Sequence, residues 1–164
     1  MKNGLLIGEM IAYEAGCPQR IDHFLKVYGF AKAIGAREQL SSVTLNIVET
    51  AGITHDIGIR AALERFGECT PARQEELGAE AARALLERLG YSDRPFIERV
   101  CWLIAHHHSY ENIRDIDLQI LVEADFLVNL KEKNAPRQQI EQVRDAYFKT
   151  ATGKLFLERY LLEE

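Results

Sequence analysis

Apolar residues recur at three- and four-residue spacing through most of this chain, and strict alternation over a strand's length is hard to find. A period near 3.6 puts such residues on one face of a helix, whereas a strand requires a period of two. The pattern restricts the chain to an all-α fold, a compact bundle in which each helix buries one stripe. Local punctuation then places the helices. Arg20 to Ile34 reads as a helix closed by Gly35, a residue tolerant of positive φ. A second starts after Ser41 or Ser42, either of which can cap exposed N–H groups, and reaches His55-Asp56-Ile57-Gly58. Gly67 to Pro71 reads as a loop, Ala72 to Leu89 as a long helix ended by Gly90, and Pro95 as the first turn of a helix running towards His106. A loop from His108 to Asp115 leads into a helix over Asp117 to Lys131. After Pro136 two amphipathic helices, separated near Gly153, close the chain.

With 47% apolar and 27% charged residues, the composition is that of an ordered globular protein rather than a disordered one. At 164 residues the chain has the size of one domain and can bury a core without disulfides. Cys17, Cys69 and Cys101 are odd in number and lack metal-finger spacing, so they read as reduced thiols, Cys101 in the core. Met1 to Met10 lacks the long apolar region and cleavage site of a secretory leader, and no stretch approaches the roughly 20 apolar residues of a membrane span. A cytoplasmic protein is expected. The formal charge of −5 at pH 7, with no Lys/Arg stripe interleaved with aromatics, argues against a nucleic-acid polymer as partner but leaves a small nucleotide open.

The informative anomalies are polar residues that occupy core-facing stripes. His23 shares a face with Val27, Phe30 and Ile34; His55 continues the face of Leu45, Val48 and Gly52; His107 extends that of Phe96, Val100 and Leu103. Asp125 lies among Leu118, Leu121, Val122 and Val128. Burying an unpaired carboxylate costs several kcal/mol, so Asp125 requires compensation. A divalent cation would supply it and would give His23, His55 and Asp56 a common purpose, because imidazole and carboxylate are standard ligands for such ions. Taken singly, each residue has an ordinary explanation. A lone histidine on an apolar face is more often a hydrogen-bonded core residue, Asp125 could cap a helix or pair with an arginine, and Asp56 could be a turn residue. Their coincidence on three helices favours the metal.

The order His23, His55-Asp56, Asp125, with His55-Asp56-Ile57-Gly58 forming an HDIG tetrad, resembles the HD-domain superfamily of metal-dependent phosphohydrolases over roughly Arg20 to Leu130. The resemblance implies a single helical domain over 1–164, with a signature region of about 20–130 on which the C-terminal helices 137–163 pack. It implies His23, His55, Asp56 and Asp125 as ligands of a divalent metal: Mn, Fe, Co, Zn or Mg. Members with two metals add histidines from two further segments. His106-His107-His108 represents one of these, with helical phase favouring His107 or His108. The other, near Gly78, reads Gln74-Glu75-Glu76-Leu77 here. Glu75 or Glu76 could substitute, but acidic residues at a helix start are more simply explained by the helix dipole. One primary ion is expected, with a possible second.

The expected reaction is hydrolysis of a nucleotide-like or other small phosphoester by metal-activated water. Asp56 would combine ligation with accepting a proton, and His107 or His108 would protonate the leaving oxygen or bind the phosphate. Arg20 and Arg60 are candidate phosphate binders, against the alternative of solvated surface charges; a role for Lys26 is more doubtful. Three consecutive histidines on a helix diverge by about 100° per residue, so one of them is expected to be exposed or to cap the helix end. Tyr147, Phe148, Phe156, Tyr160 and Leu161 recur at helical spacing, which suits a core or homodimer contact better than a stacking site. Two rival functions remain open: a catalytically silent metal- and nucleotide-binding sensor, and a two-iron oxygenase, which the segment around Leu77 weighs against.

Overall fold

The computed structural model describes residues 2–163, except the side chain of Lys2. The described residues are helical and contain no strand. In chain order the helices are α1 (Lys2–Tyr13), α2 (Pro18–Arg37), α3 (Ser42–Thr54), α4 (Gly58–Phe66), α5 (Pro71–Arg88), α6 (Arg94–Ile104), α7 (Ile116–Glu132), α8 (Arg137–Tyr147) and α9 (Ala151–Leu157), followed by a π-helical turn (Glu158–Leu162). Among the described residues no helix is long and apolar enough to cross a membrane.

The caps follow the expected chemistry. Ser41 Oγ accepts the Thr44 N–H at the start of α3, Thr70 accepts the Arg73 N–H at α5, and Asp93 accepts the Phe96 N–H at α6. Two boundaries differ from the sequence reading. Gly35 does not end α2; it is a buried interior residue whose missing side chain admits Leu45, since a Cβ there would sit 2.8 Å from Leu45 Cδ1. The left-handed residue that follows the helix is Gln39, with φ 57°. Gly153 lies within α9 rather than between helices, and the break falls at Phe148–Thr150. Helices α1 and α4 were not anticipated. α1 is anchored by Leu6 and Met10, both buried one turn apart, and α4 begins as soon as the His55-Asp56-Ile57 turn closes.

α7 forms the centre, buried around most of its circumference from Asp117 to Val128. α2 and α3 pack on each other and on α7, α6 and α9 also touch α7, and α4 and α5 form a neighbouring pair joined to α6. Two buried carboxylates on α7 are satisfied without metal. Glu123 accepts the Lys149 N–H (2.6 Å), the Thr150 N–H (2.9 Å), the Thr150 hydroxyl and the Gln119 amide (2.8 Å), tying the start of α9 to the core. Asp117 is held in a two-pronged pair by Arg99, at 2.7 and 2.8 Å, while the same guanidinium lies over the Trp102 ring. Arg99→Ala should cost about 2 kcal/mol by leaving Asp117 buried and unpaired. Chemical denaturation checks this, and an unchanged midpoint would show that the pair does not hold α6 to α7.

Candidate metal centre

Three helices and one turn deliver the polar residues to a common point. His23 sits on the second turn of α2, Asp125 in the middle of α7, and His55 caps the C-terminus of α3 with Asp56 in the tight turn before α4. His23 Nε2 lies 3.2 Å from His55 Nε2, 3.1 Å from Asp125 Oδ1 and 3.5 Å from Asp56 Oδ2. His55 Nε2 lies 3.4 Å from Asp56 Oδ2 and 3.5 Å from Asp125 Oδ1. Donors that share one ion at about 2.0–2.2 Å stand roughly 3.0–3.5 Å apart. The separations therefore suit a single cation held by His23, His55 and Asp56, with Asp125 Oδ1 within 3.5 Å of both imidazoles.

The opposite nitrogens are anchored. His55 Nδ1–H donates to the Gly52 carbonyl at 3.1 Å, and His23 Nδ1–H donates to Glu132 Oε2 at 2.9 Å. Each contact fixes the tautomer and aims Nε2 at the cluster, the usual outer support of a metal-bound histidine. Asn129 donates to Asp125 Oδ1 at 2.8 Å, and Lys26 donates to Glu132 at 3.0 Å. Glu132 and Asn129 stand seven and four residues after Asp125, on the same face of α7. That spacing was the available signal for two supports that sequence reasoning missed.

The electrostatics are those of a centre that needs a cation. Burial lowers the His23 imidazole, but the hydrogen bond to Asp125 and the charges of Asp56 and Asp125 outweigh it, lifting it to about 9. Burial likewise opposes charge on His55, and Asp56 and Asp125 again overcome it and raise it. Burial would raise both carboxylates, yet His55 and the neighbouring His107 imidazole hold Asp56 low, and His23 and His55 hold Asp125 low. Without a metal, protons on the imidazoles occupy the role of the cation.

A second group, Glu75, His107 and His108, adjoins the first. Glu75 is half-buried and accepts the His108 backbone N–H at 3.0 Å, so it is not the solvated dipole partner expected from its place near a helix start; Glu76 is exposed. His107 is fully buried, its Nδ1–H donating to the Ile104 carbonyl at 2.7 Å and its Nε2 turned towards Asp56 Oδ1 at 3.7 Å. The amide of Gln74 lies between them, donating to Asp56 Oδ1 and standing 3.4 Å from His107 Nε2. His106 points away, stacked on Trp102 and bonded to the Trp102 carbonyl. Arg20 pairs with buried Glu14 at 2.6 Å, and Arg60 is engaged by Glu64, the Tyr13 carbonyl and the Tyr13 ring. Both arginines thus brace α1. Arg20 also stands near the cluster, since its charge and that of Asp56 both act on the Cys69 thiol.

The HD-domain family model matches residues 20–130. The chain belongs to the HD-domain family. The comparison with curated proteins gives no match. Among solved structures, this HD domain is similar to the crystal structure of a predicted HD superfamily hydrolase from an uncultured Thermotogales bacterium. The TM-score is 0.64 and the identity 25%, over 94% of this chain and 80% of that one. Family and fold support a metal-dependent hydrolase, and the His/Asp cluster of this HD domain could hold its divalent ion.

Proposed function

We propose that this HD domain hydrolyses a small phosphoester of nucleotide type, with one divalent metal held by His23, His55, Asp56 and Asp125. The observation that carries the reading is the convergence of His23, His55 and Asp56 at separations suited to one ion, with Asp125 against both imidazoles and both histidines anchored from behind. A bound divalent ion supplies the acidity that makes hydroxide available near neutral pH and the charge that a phosphoryl oxygen requires. Asp56, held ionised with Oδ2 towards His23 and His55, would help to hold the ion and would accept the proton of the attacking water.

His108 stands further out. Burial first, then neighbouring His107, keeps its imidazole below the ordinary value, so it is neutral at pH 7. It can donate an N–H to a phosphate oxygen, and an incoming anion would favour its charged, proton-donating form. Arg20, whose charge acts on Cys69 together with that of Asp56, is the guanidinium we propose for a further phosphate contact.

Support for a nucleotide comes from the rings leading away from the centre. His107 and His108 lie 3.9 Å apart between ring centroids, Tyr110 follows at 6.4 Å, and Phe126 and Tyr147 continue the row at 4.9 and 5.1 Å. Tyr110, Phe126 and Tyr147 are all partly exposed. Burial, then the charges of Asp125 and Glu75, push the Tyr110 hydroxyl up to about 12, so it remains a donor beside the site. Such a border suits a flat aromatic base. The other C-terminal aromatics lie elsewhere: Phe148 is in the core, and Phe156 and Tyr160 rest on Phe30.

The test is a screen of nucleoside monophosphates, cyclic nucleotides and sugar phosphates with metal-stripped protein, before and after adding Mn²⁺, Co²⁺ or Zn²⁺. Metal-dependent release of phosphate or opening of a phosphodiester is expected. Metal and nucleotide binding without turnover would instead establish the sensor function. Protons on the imidazoles must leave for a cation to bind, so affinity for Mn²⁺ should strengthen by about tenfold per pH unit for each proton released, the His23 contribution levelling off as pH approaches about 9. A titration series at fixed ionic strength checks this, and affinity constant between pH 6 and 8 would contradict it.

A further inference from the structure

Asp56 has two carboxylate oxygens with different surroundings. Oδ2 faces His23 and His55, whereas Oδ1 points to the other side, towards His107 Nε2 at 3.7 Å. The Nδ1–H of His107 is committed to the Ile104 carbonyl, so in the neutral imidazole a metal requires, Nε2 is the atom that carries the lone pair. A buried and a half-buried acceptor of ligand type therefore share one small space. The group between them is the amide of Gln74, itself buried, with Nε2 hydrogen-bonded to Asp56 Oδ1 and 3.4 Å from His107 Nε2. An amide NH₂ offers two N–H donors and no lone pair, so it satisfies both acceptors as a small cation would.

We infer that Gln74 limits this centre to a single metal ion by occupying the position between Asp56 and His107 that a second ion would take. The inference rests on the reading that the His23 cluster holds the first ion. Its physical content is the difference between an amide and its isosteres. In Gln74→Glu, an oxygen with lone pairs replaces the NH₂ at the same place, next to the Asp56 carboxylate. Two adjoining carboxylates and an imidazole then require a cation, and Glu75 with His108 lies alongside to complete its surroundings. Gln74→His would supply a neutral ligand at that place. The backbone of Gln74, which packs on Gly58, is unchanged by either substitution.

The experiment counts ions. Wild-type protein, Gln74→Glu and Gln74→His are stripped, reloaded with Mn²⁺, passed through gel filtration and analysed for metal per chain. Electron paramagnetic resonance then distinguishes isolated from spin-coupled Mn²⁺, and circular dichroism confirms folding of each variant. The expected result is one ion and an uncoupled spectrum for wild type, and two ions with a coupled spectrum for at least one folded variant. Two ions in wild type, or one in every folded variant, would overturn the role of Gln74 while leaving the first site intact. No ion in wild type would instead overturn the underlying metal reading.

Discussion

Asp125→Asn should strip the protein of its metal and lower hydrolysis by more than about 100-fold, beyond the loss expected from removing an outer support of a metal site. The change preserves volume and leaves α7 intact, but it removes the negative charge that both buried imidazoles face at 3.1 and 3.5 Å. The oxygen that faces the imidazoles, Oδ1, also accepts the Asn129 amide, so an asparagine would keep its carbonyl oxygen at that place and offer a neutral ligand where an anionic one is needed. Metal content of the purified variant and phosphate release, measured on the same preparation, check the expectation. Wild-type metal content together with wild-type turnover would show that Asp125 is a structural partner of His23 and nothing more.

The second large effect lies outside the ligand set. Gly58→Ala should destabilise the protein by about 3 kcal/mol, a fall in melting temperature of roughly 6–12 °C. A Cβ at Gly58 would meet the Gln74 carbonyl and come within 2.7 Å of the Gly78 nitrogen and 2.9 Å of its Cα. These are backbone atoms of α5, so relief requires α4 and α5 to separate rather than a side chain to rotate. Separation would also draw Gln74 away from Asp56, so metal affinity should fall alongside stability. The glycine of the tetrad therefore serves as a helix crossing point, with a conformation open to any residue. A thermal melt within about 2 °C of wild type would contradict this account, given how steeply overpacking a close backbone contact costs.

Helical phase made the inward-facing residues legible before any coordinates. His23, His55, His107 and Asp125 each interrupt an apolar stripe, and each is buried. Periodicity assigns a residue to a face of its own helix but does not identify what lies across the interface. The Glu132 contact to His23 spans 109 positions and the Gln74 contact to Asp56 spans 18, and neither pairing has a local signature. Gly35 was read as a stop because a glycine after an apolar run suits either a helix end or a close crossing, and only the position of Leu45 distinguishes the two. α4 escaped notice because the turn at His55-Asp56 spans so few residues that α3 and α4 read as one helix end. Arg20 and Arg60 stand near the ligands in sequence, and Glu64, four residues beyond Arg60 on α4, is a local partner; Glu14 and the Tyr13 carbonyl come from α1 and the turn after it, a packing that no local pattern shows.

The most direct measurement of the central claim is an anomalous difference map, recorded at the metal's absorption edge, from crystals of protein reloaded with Mn²⁺ or Zn²⁺. The account predicts one peak bounded by His23 Nε2, His55 Nε2 and an oxygen from each of Asp56 and Asp125, at about 2.0–2.2 Å from each. A map with no peak among these four residues, or with the ion held by Glu75, His107 and His108 instead, would contradict it.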